Sequence, residues 1–301
     1  MVELRHDNWA GKTDGTSWMQ RLLIVVIRFT GLRIAYVLMS FVIPFYMILN
    51  RKGYVSIKHY FQNRHGDSYL KAVWHVYRNH FAFGQVIIDR FAAYGGMKFN
   101  LEISGYDLFN NAIEGDKGVL MLSSHVGNYE LAGYMLVSRK KKFYAVLYDG
   151  DTNVVMQNRQ RILSQNNICL VPLKEDMSHL FTINAALDTG DIVSIPADRV
   201  LGSSKTVECE FMGSKAVFPL GPFKLATHKN VPVFAVFVLR SSPQTYKVYI
   251  KQISVLSNKS NNERCFLMAQ KYASELESVV KKYPYQWFNY YDFWQNHESV
   301  K

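Results

Sequence analysis

The sequence predicts an α/β protein in which a mainly parallel central sheet is flanked by helices, with an N-terminal membrane-associating helical segment. Two observations predict the sheet. The chain has 301 residues, 49% of them hydrophobic, which is enough for one large buried core. After Gly105, short apolar runs alternate with segments of helical periodicity, the order typical of a parallel sheet covered on both faces. The helical segment is predicted by a long apolar stretch before this region.

The predicted strands are short apolar or alternating runs, namely GVLMLSS, FYAVLY, ICLVPL, DIVSIP, TVECEFM, VPVFAVFVLR and TYKVYIKQI. The predicted helices have apolar residues at helical spacing, namely SYLKAVWHVYRNHFAFGQVIIDRFAAY, NYELAGYMLVS, TNVVMQNRQRILSQNN, HLFTINAALDTG, PFKLATHK and ERCFLMAQKYASELESVVKKY. In such sheets the active site lies at the carboxyl ends of the strands, so polar residues that follow a strand are the first candidates.

The apolar stretch runs from Leu22 to Leu49 and contains two charged residues, Arg28 and Arg33. Its charge-free part is shorter than the roughly 20 residues of a straight membrane span. Two membrane arrangements fit: a span whose arginines snorkel, or an interfacial hairpin broken near Gly31 and Pro44. A buried helix of a soluble protein is the alternative. We expect membrane attachment.

Composition restricts the partners. The net charge of +11 suits an acidic partner, which leaves nucleic acid, anionic lipid and an acidic carrier protein. With 14% aromatic residues and nothing but charge to favour nucleic acid, we expect no nucleic-acid role. The basic cluster Ser138–Lys142 is a candidate contact for a carrier protein or lipid phosphates. The alternative is a solvent-exposed charged face with no binding role. Three widely spaced cysteines predict neither a disulfide framework nor a metal site.

The segment LSSHVGNYELAGYML places His125 just after a predicted strand and Glu130 five positions later. On one continuous helix such residues are separated by about 140° and would not meet. They meet if His125 lies in the turn before the helix, where Gly127 permits unusual backbone angles. A histidine there stays neutral near the helix N-terminus and accepts a proton, while Glu130 orients the other ring nitrogen. A structural histidine is the alternative at this point.

Other catalytic patterns are absent from the sequence. The metalloprotease helix with two histidines four residues apart is missing, and no Gly-x-Ser-x-Gly elbow surrounds Ser124. Neither a P-loop nor a Gly-x-Gly-x-x-Gly fingerprint is present, so nucleotide chemistry is not supported.

The segment SSHVGNYELAG resembles the His-x4-Asp/Glu signature of the lysophospholipid acyltransferase superfamily, and more narrowly of the lipid A late (lauroyl/myristoyl) acyltransferases. Three further blocks are similar to that family in the same order: PADRVLG, FMGSKAVFPLGPFKLATHKNVPVFAVFVLR and YPYQWFNYYDFW. One His-x4-Glu match is weak, but four blocks in order are strong. The resemblance implies a glycerolipid acyltransferase-like fold.

The resemblance also implies roles for single residues. His125 would be the general base that deprotonates an acceptor hydroxyl, and Glu130 its orienting partner. Asn128 would shape the turn. Arg159 matches the position of a functional arginine in the family, with Arg161 as its rival and a solvated helix charge as the alternative. Asp198 would organise the arginine or the acceptor.

Arg199 departs from the family, because well-known lipid A enzymes often carry glutamine there, and this leaves the acceptor open. The resemblance makes Gly213, Pro219 and Gly221 shape-determining residues near the substrate. Neither a metal nor another cofactor is implied. From the chemistry itself, attack of an alcohol on a thioester also needs an oxyanion site, and backbone N–H groups at the helix start are candidate donors.

The activity implied is transfer of a fatty acyl chain from a thioester of acyl carrier protein or coenzyme A to a hydroxyl of a lipid A precursor. The implied location is the cytoplasmic face of the bacterial inner membrane. We expect a membrane-attachment segment over residues 1–52 and an acyltransferase domain over 53–301. Other acceptors stay open at this point (an amino-acid lipid, an aryl-polyene-type pigment or a lysophospholipid), as does a noncatalytic membrane adaptor.

Overall fold

The fold is taken from a computed structural model that describes residues 17–131, 140–148, 167–174, 176–200, 205–255 and 258–294. Its strands are β1 (Asn100–Ser104), β2 (Val119–Ser123), β3 (Phe143–Tyr148), β4 (Ile168–Leu173), β5 (Ile192–Pro196), β6 (Thr206–Phe211), β7 (Ser214–Pro219), β8 (Val233–Ser242) and β9 (Thr245–Gln252). Its labelled helices are α1 (Ser17–Leu49), α2 (Arg51–His65), α3 (Tyr69–Tyr94), α4 (Tyr106–Glu114), α5 (His179–Asp188), α6 (Gly221–Lys229) and α7 (Asn261–Lys282). A 3₁₀ turn, Pro284–Gln286, follows α7.

Seven strands form the central sheet in the order β1-β9-β8-β2-β5-β3-β4. Neighbouring strands are parallel except β8 and β9, which are joined by a tight turn and run antiparallel. The predicted α/β class with a mainly parallel sheet is therefore confirmed. The predicted strand TVECEFM lies outside this sheet, as β6 of a separate hairpin with β7.

Each face of the sheet covers its own apolar cluster, because side chains alternate along a strand. On β2, Leu120 and Leu122 face a cluster that includes Leu276 of α7, while Val119 and Met121 face the opposite one. All residues of β2 are buried, which is why this strand reads as a continuous apolar run. Because β2 lies between β8 and β5, the residues that follow its carboxyl end lie at the middle of the sheet edge.

Helix α1 packs along α3 and leaves much of its apolar surface exposed. Ile27, Leu32 and Tyr36 are buried in the cluster on that side of the sheet, whereas Phe41 and Phe45 are exposed. Residues 24–49 are long and apolar enough to cross a membrane, and 22% of the apolar window is buried. The helix kinks at Gly31, where φ is 77°, but it continues through Pro44. Of the two breaks that the interfacial-hairpin alternative requires, the helix therefore has the one at Gly31.

Candidate active site

Sheet register brings His125 and Asp198 together. Strands β2 and β5 are parallel neighbours whose last residues, Ser123 and Pro196, are directly paired. His125 and Asp198 each follow two positions later, so the segments after β2 and β5 leave the sheet side by side. The backbone N–H of Ala197 donates to the carbonyl of Ser123 over 2.9 Å, so the pairing of the two segments continues one residue beyond the strands.

The two side chains form a buried pair. Nδ1 of His125 lies 2.8 Å from Oδ1 of Asp198, and the backbone N–H of His125 donates to Oδ2 over 2.7 Å. The carboxylate side chain is 1% exposed, whereas the imidazole is 18% exposed. A carboxylate accepting at Nδ1 favours the tautomer that leaves Nε2 with a lone pair, which is the protonation state a general base needs.

The His125 ring is paired at Nδ1 with Asp198 and not, as expected, with Glu130. The helix after the loop begins at Tyr129, so Glu130 lies in its first turn as predicted. Its carboxylate, however, accepts from Nη1 of Arg90 over 2.7 Å and from the hydroxyl of Tyr94 over 2.9 Å, both on α3. The expectation that Glu130 orients the ring is therefore corrected at Nδ1, where Asp198 is the partner. Glu130 instead ties the start of this helix to α3.

The surroundings keep the imidazole neutral. Burial lowers the pKa of His125, the Arg199 guanidinium lowers it further, and the Asp198 carboxylate opposes both. Burial also opposes ionisation of Asp198, but its interactions with His125, which include two hydrogen bonds, and with the Arg199 guanidinium hold the pKa of that carboxyl below its usual range. The arrangement thus favours a neutral imidazole beside an ionised carboxylate.

The loop that carries His125 is held between β8 and the C-terminal segment. The N–H of Gly127 donates to the carbonyl of Gln286 over 2.7 Å, and that of Asn128 donates to the carbonyl of Val238 over 2.7 Å. Gly127 has a φ of 63°, and an added Cβ would lie 2.0 Å from the Val238 oxygen. The glycine is therefore required by its backbone angle and by this close approach, as the sequence predicted.

These bonds limit where the expected oxyanion site can lie. The backbone N–H groups of His125, Gly127 and Asn128 all donate to protein oxygens, so this part of the loop does not supply the donors. The N–H groups at the start of the helix itself, which begins at Tyr129, remain the predicted donors. The Asn128 side chain is buried, with Nδ2 3.4 Å from the hydroxyl of Tyr246 and 3.5 Å from the carbonyl of Val86.

Residues 287–294, which follow the 3₁₀ turn, form one wall of the site, and we call them the C-terminal wall. The N–H of Phe288 donates to the carbonyl of His125 over 2.9 Å. The carbonyl of Phe288 in turn accepts from the guanidinium of Arg199, which also lies 5.7 Å from the ring centre of Tyr291. Arg199 therefore joins the loop after β5 to this segment and stands close enough to His125 to affect its pKa.

The remaining residues from the sequence lie elsewhere or are not described. Arg159, its rival Arg161 and the helix predicted around them fall outside the described residues. Gly213 occupies the β6–β7 turn at a φ of 77°, Pro219 ends β7 and Gly221 begins α6. Their described positions are those of turn and boundary residues. Within the basic cluster, Lys141 is buried and donates to the carbonyl of Lys117 over 2.5 Å, a structural contact rather than an open docking charge.

Comparison with known proteins gives the family of this chain. A family model described as bacterial lipid A biosynthesis acyltransferase matches residues 79–295, most of the chain. The chain belongs to this family. The acyltransferase is also similar to the 1-acyl-sn-glycerophosphate (LPA) acyltransferase PlsC of Thermotoga maritima, with 14% sequence identity, a TM-score of 0.36, and coverage of 80% of this chain and 97% of that chain. No curated protein sequence matches the chain.

The matched region contains the His125 loop, Asp198 and the C-terminal wall, so all parts of the candidate site lie within the family domain. The protein is accordingly an acyltransferase of lipid metabolism. What sequence reasoning missed is that Asp198 contacts the ring directly. The signal was present, because His125 and Asp198 both follow predicted strands, but strand order and register were needed to pair them.

Proposed function

We propose that this acyltransferase is a membrane-associated O-acyltransferase of lipid A biosynthesis, which transfers a fatty acyl chain from an acyl carrier protein thioester to a hydroxyl of a lipid A precursor. The observation that carries the mechanism is the His125–Asp198 pair at the carboxyl ends of adjacent strands. The family match supports the lipid class. The exposed apolar surface of α1 supports attachment to the membrane that holds the acceptor.

In the proposed reaction, Nε2 of His125 removes the proton of the acceptor hydroxyl as its oxygen attacks the thioester carbonyl. Asp198 accepts at Nδ1, fixes the tautomer and stabilises the imidazolium that forms. The tetrahedral intermediate then collapses, its C–S bond breaks, and the imidazolium returns the proton to the leaving thiolate. The products are an ester and a free thiol, and no other reactant is needed.

Arg199 and Glu130 have supporting roles in this mechanism. Burial lowers the pKa of His125, and the positive charge of Arg199 lowers it further, so both favour the neutral imidazole that accepts a proton. Glu130 holds the first turn of the following helix against α3 through Arg90 and Tyr94, and thereby supports the position of the loop. Asn128 and Gly127 maintain the shape of that loop.

The location follows from the chemistry. An enzyme that uses a carrier-protein thioester and a growing lipid A precursor meets both at the cytoplasmic face of the inner membrane. The net charge of +11 favours approach of an acidic carrier protein and of anionic lipid.

The test uses the full chain in detergent micelles with acyl carrier protein thioester and a tetra-acylated lipid A precursor. Mass spectrometry is expected to find a gain of one acyl chain on the precursor with wild type and none above background with His125→Ala. Parallel reactions contain a lysophospholipid acceptor or a coenzyme A thioester. A gain on the lysophospholipid alone would contradict the assigned acceptor, and a gain with coenzyme A alone would contradict the assigned donor.

A further inference from the structure

A second surface of the molecule has the properties of a lipid site. Helices α1, α2 and α3 enclose a groove of about 790 Å³, which we call the helical groove. Its walls are largely apolar and come from the end of α1, through Ile48, and from one side of α3, through Leu70, Val73 and Trp74. This volume lies within the roughly 300–1,000 Å³ of ordinary ligand sites.

The helical groove is continuous with the exposed apolar surface of α1. Ile48 is 76% exposed and belongs both to that surface and to the groove wall. Across the groove, Leu70 and Trp74 are also largely exposed, and the Trp74 ring stacks on Tyr77 at a centroid distance of 5.3 Å. A contiguous apolar patch of this kind marks an interaction surface, and exposed Trp and Tyr are typical of the membrane–water interface.

The charge of the groove is of one sign. Arg51 and Lys58 of α2 line it, and no acidic residue is among the described residues that do. The first turn of α2 likewise contains no acidic side chain. A ligand that matches this surface has an apolar chain for the walls and a negative group between the two cations. A bilayer provides such a molecule where an apolar helix enters it.

We propose that the helical groove binds one anionic phospholipid of the surrounding membrane, with an acyl chain along Ile48 and Trp74 and the phosphate between Arg51 and Lys58. The site is separate from the His125 loop, because none of the groove residues belongs to that loop or to the C-terminal wall. The bound lipid would seat α1–α3 against the membrane, independently of the acyl-transfer reaction.

Native mass spectrometry of the full chain, released from detergent micelles, tests this proposal. Titration with phosphatidylglycerol is expected to give one retained lipid per chain, and titration with phosphatidylcholine is expected to give weaker retention. Each cation near an anionic lipid contributes on the order of fivefold in affinity. The double variant Arg51→Gln/Lys58→Gln should therefore retain phosphatidylglycerol roughly 25-fold more weakly.

The matched control is Lys98→Gln/Lys251→Gln, which removes the same charge at exposed positions outside the groove. It should retain phosphatidylglycerol like wild type. Equal weakening in the two double variants, equal retention of the two lipids, or saturation by inorganic phosphate would each overturn the proposal. So would a raised KM for the lipid A precursor in Arg51→Gln/Lys58→Gln, since the groove would then belong to the acceptor site. Because retention is measured without turnover, failure here leaves the proposed function untouched.

Discussion

Two buried carboxylates, Asp198 and Asp89, lie in contrasting surroundings. Asp198 is 1% exposed and pairs with the imidazole of His125, which can itself gain or lose a proton. Asp89 is 0% exposed and accepts from the hydroxyls of Tyr36 and Tyr246 and, over 3.1 Å, from Nε of Arg240. Asp89 thus connects α3 to α1, β8 and β9. Burial raises the pKa of the Tyr36 and Tyr246 hydroxyls, so both keep their protons at neutral pH.

Burial acts in the same direction on the two carboxyl groups, but their pKa values shift in opposite directions. Burial raises the pKa of Asp89 to about 6, although the hydrogen bonds from Tyr246, Tyr36 and Arg240 oppose the rise. At Asp198 the interactions with His125 and Arg199 outweigh burial, and the pKa is lowered. Burial alone therefore does not decide in which direction the pKa of a carboxyl group shifts. Asp198 differs from Asp89 in that its partner, His125, can itself titrate and lies at the carboxyl ends of the parallel strands.

The largest expected effect is that of His125→Ala on activity. Loss of the general base should reduce kcat by about 10²–10⁴-fold, because proton removal from the acceptor hydroxyl is no longer assisted. Acyl transfer by the purified variant, measured against His228→Ala in the last turn of α6, checks this. Comparable rates in the two variants would contradict a catalytic His125. The variant should also lose some stability, since the buried Asp198 loses its ring partner.

The next effect is on stability. Asp89→Ala leaves Arg240 and two buried hydroxyls without their carboxylate, a change that typically costs about 3–5 kcal/mol. The control is Asp188→Ala, which removes a largely exposed carboxylate paired with Lys229 and should cost about 0–1 kcal/mol. Chemical unfolding in detergent measures both. If the two variants lose similar stability, the Asp89 cluster is not the structural junction described above.

The pH dependence of stability separates the two carboxylates. Unfolded Asp89 ionises near its ordinary value of 3.8 and folded Asp89 near 6, so its contribution to stability is largest below 3.8 and is lost as the pH rises through 6. Asp198, with a lowered pKa, contributes stability above its ordinary range that is lost as the pH falls. Between pH 7 and 4, wild type should therefore gain stability relative to Asp89→Asn. If the free energy of unfolding changes equally with pH in wild type and in Asp89→Asn, this prediction is wrong.

Periodicity and apolar runs were sufficient to predict the parallel sheet, the position of the His125 turn and the glycine within it. They were insufficient to predict which carboxylate contacts the His125 ring. Glu130 was predicted from its spacing to His125 and Asp198 from the family resemblance, and the register of β2 against β5 is what brings Asp198 to Nδ1. Elements with weak patterns were also missed: β1 is mostly exposed, and the short α4 follows it directly.

The C-terminal wall illustrates the same limit. Its aromatic block was recognisable in the sequence, but its backbone contact with His125 depends on a chain separation of more than 150 residues that no local pattern reports. The Asp89 cluster likewise joins residues from α1, α3, β8 and β9, and each of them alone reads as an ordinary helix or strand residue.

The most direct test of the His125–Asp198 pair is the pH dependence of kcat/KM, whose acidic limb reports the pKa of the base in the free enzyme. Because Asp198 raises the pKa of His125 and Arg199 lowers it, the limb should move to lower pH in Asp198→Asn and to higher pH in Arg199→Gln. Limbs that stay at the wild-type position, or that move in the same direction, would contradict a base held between these two charges.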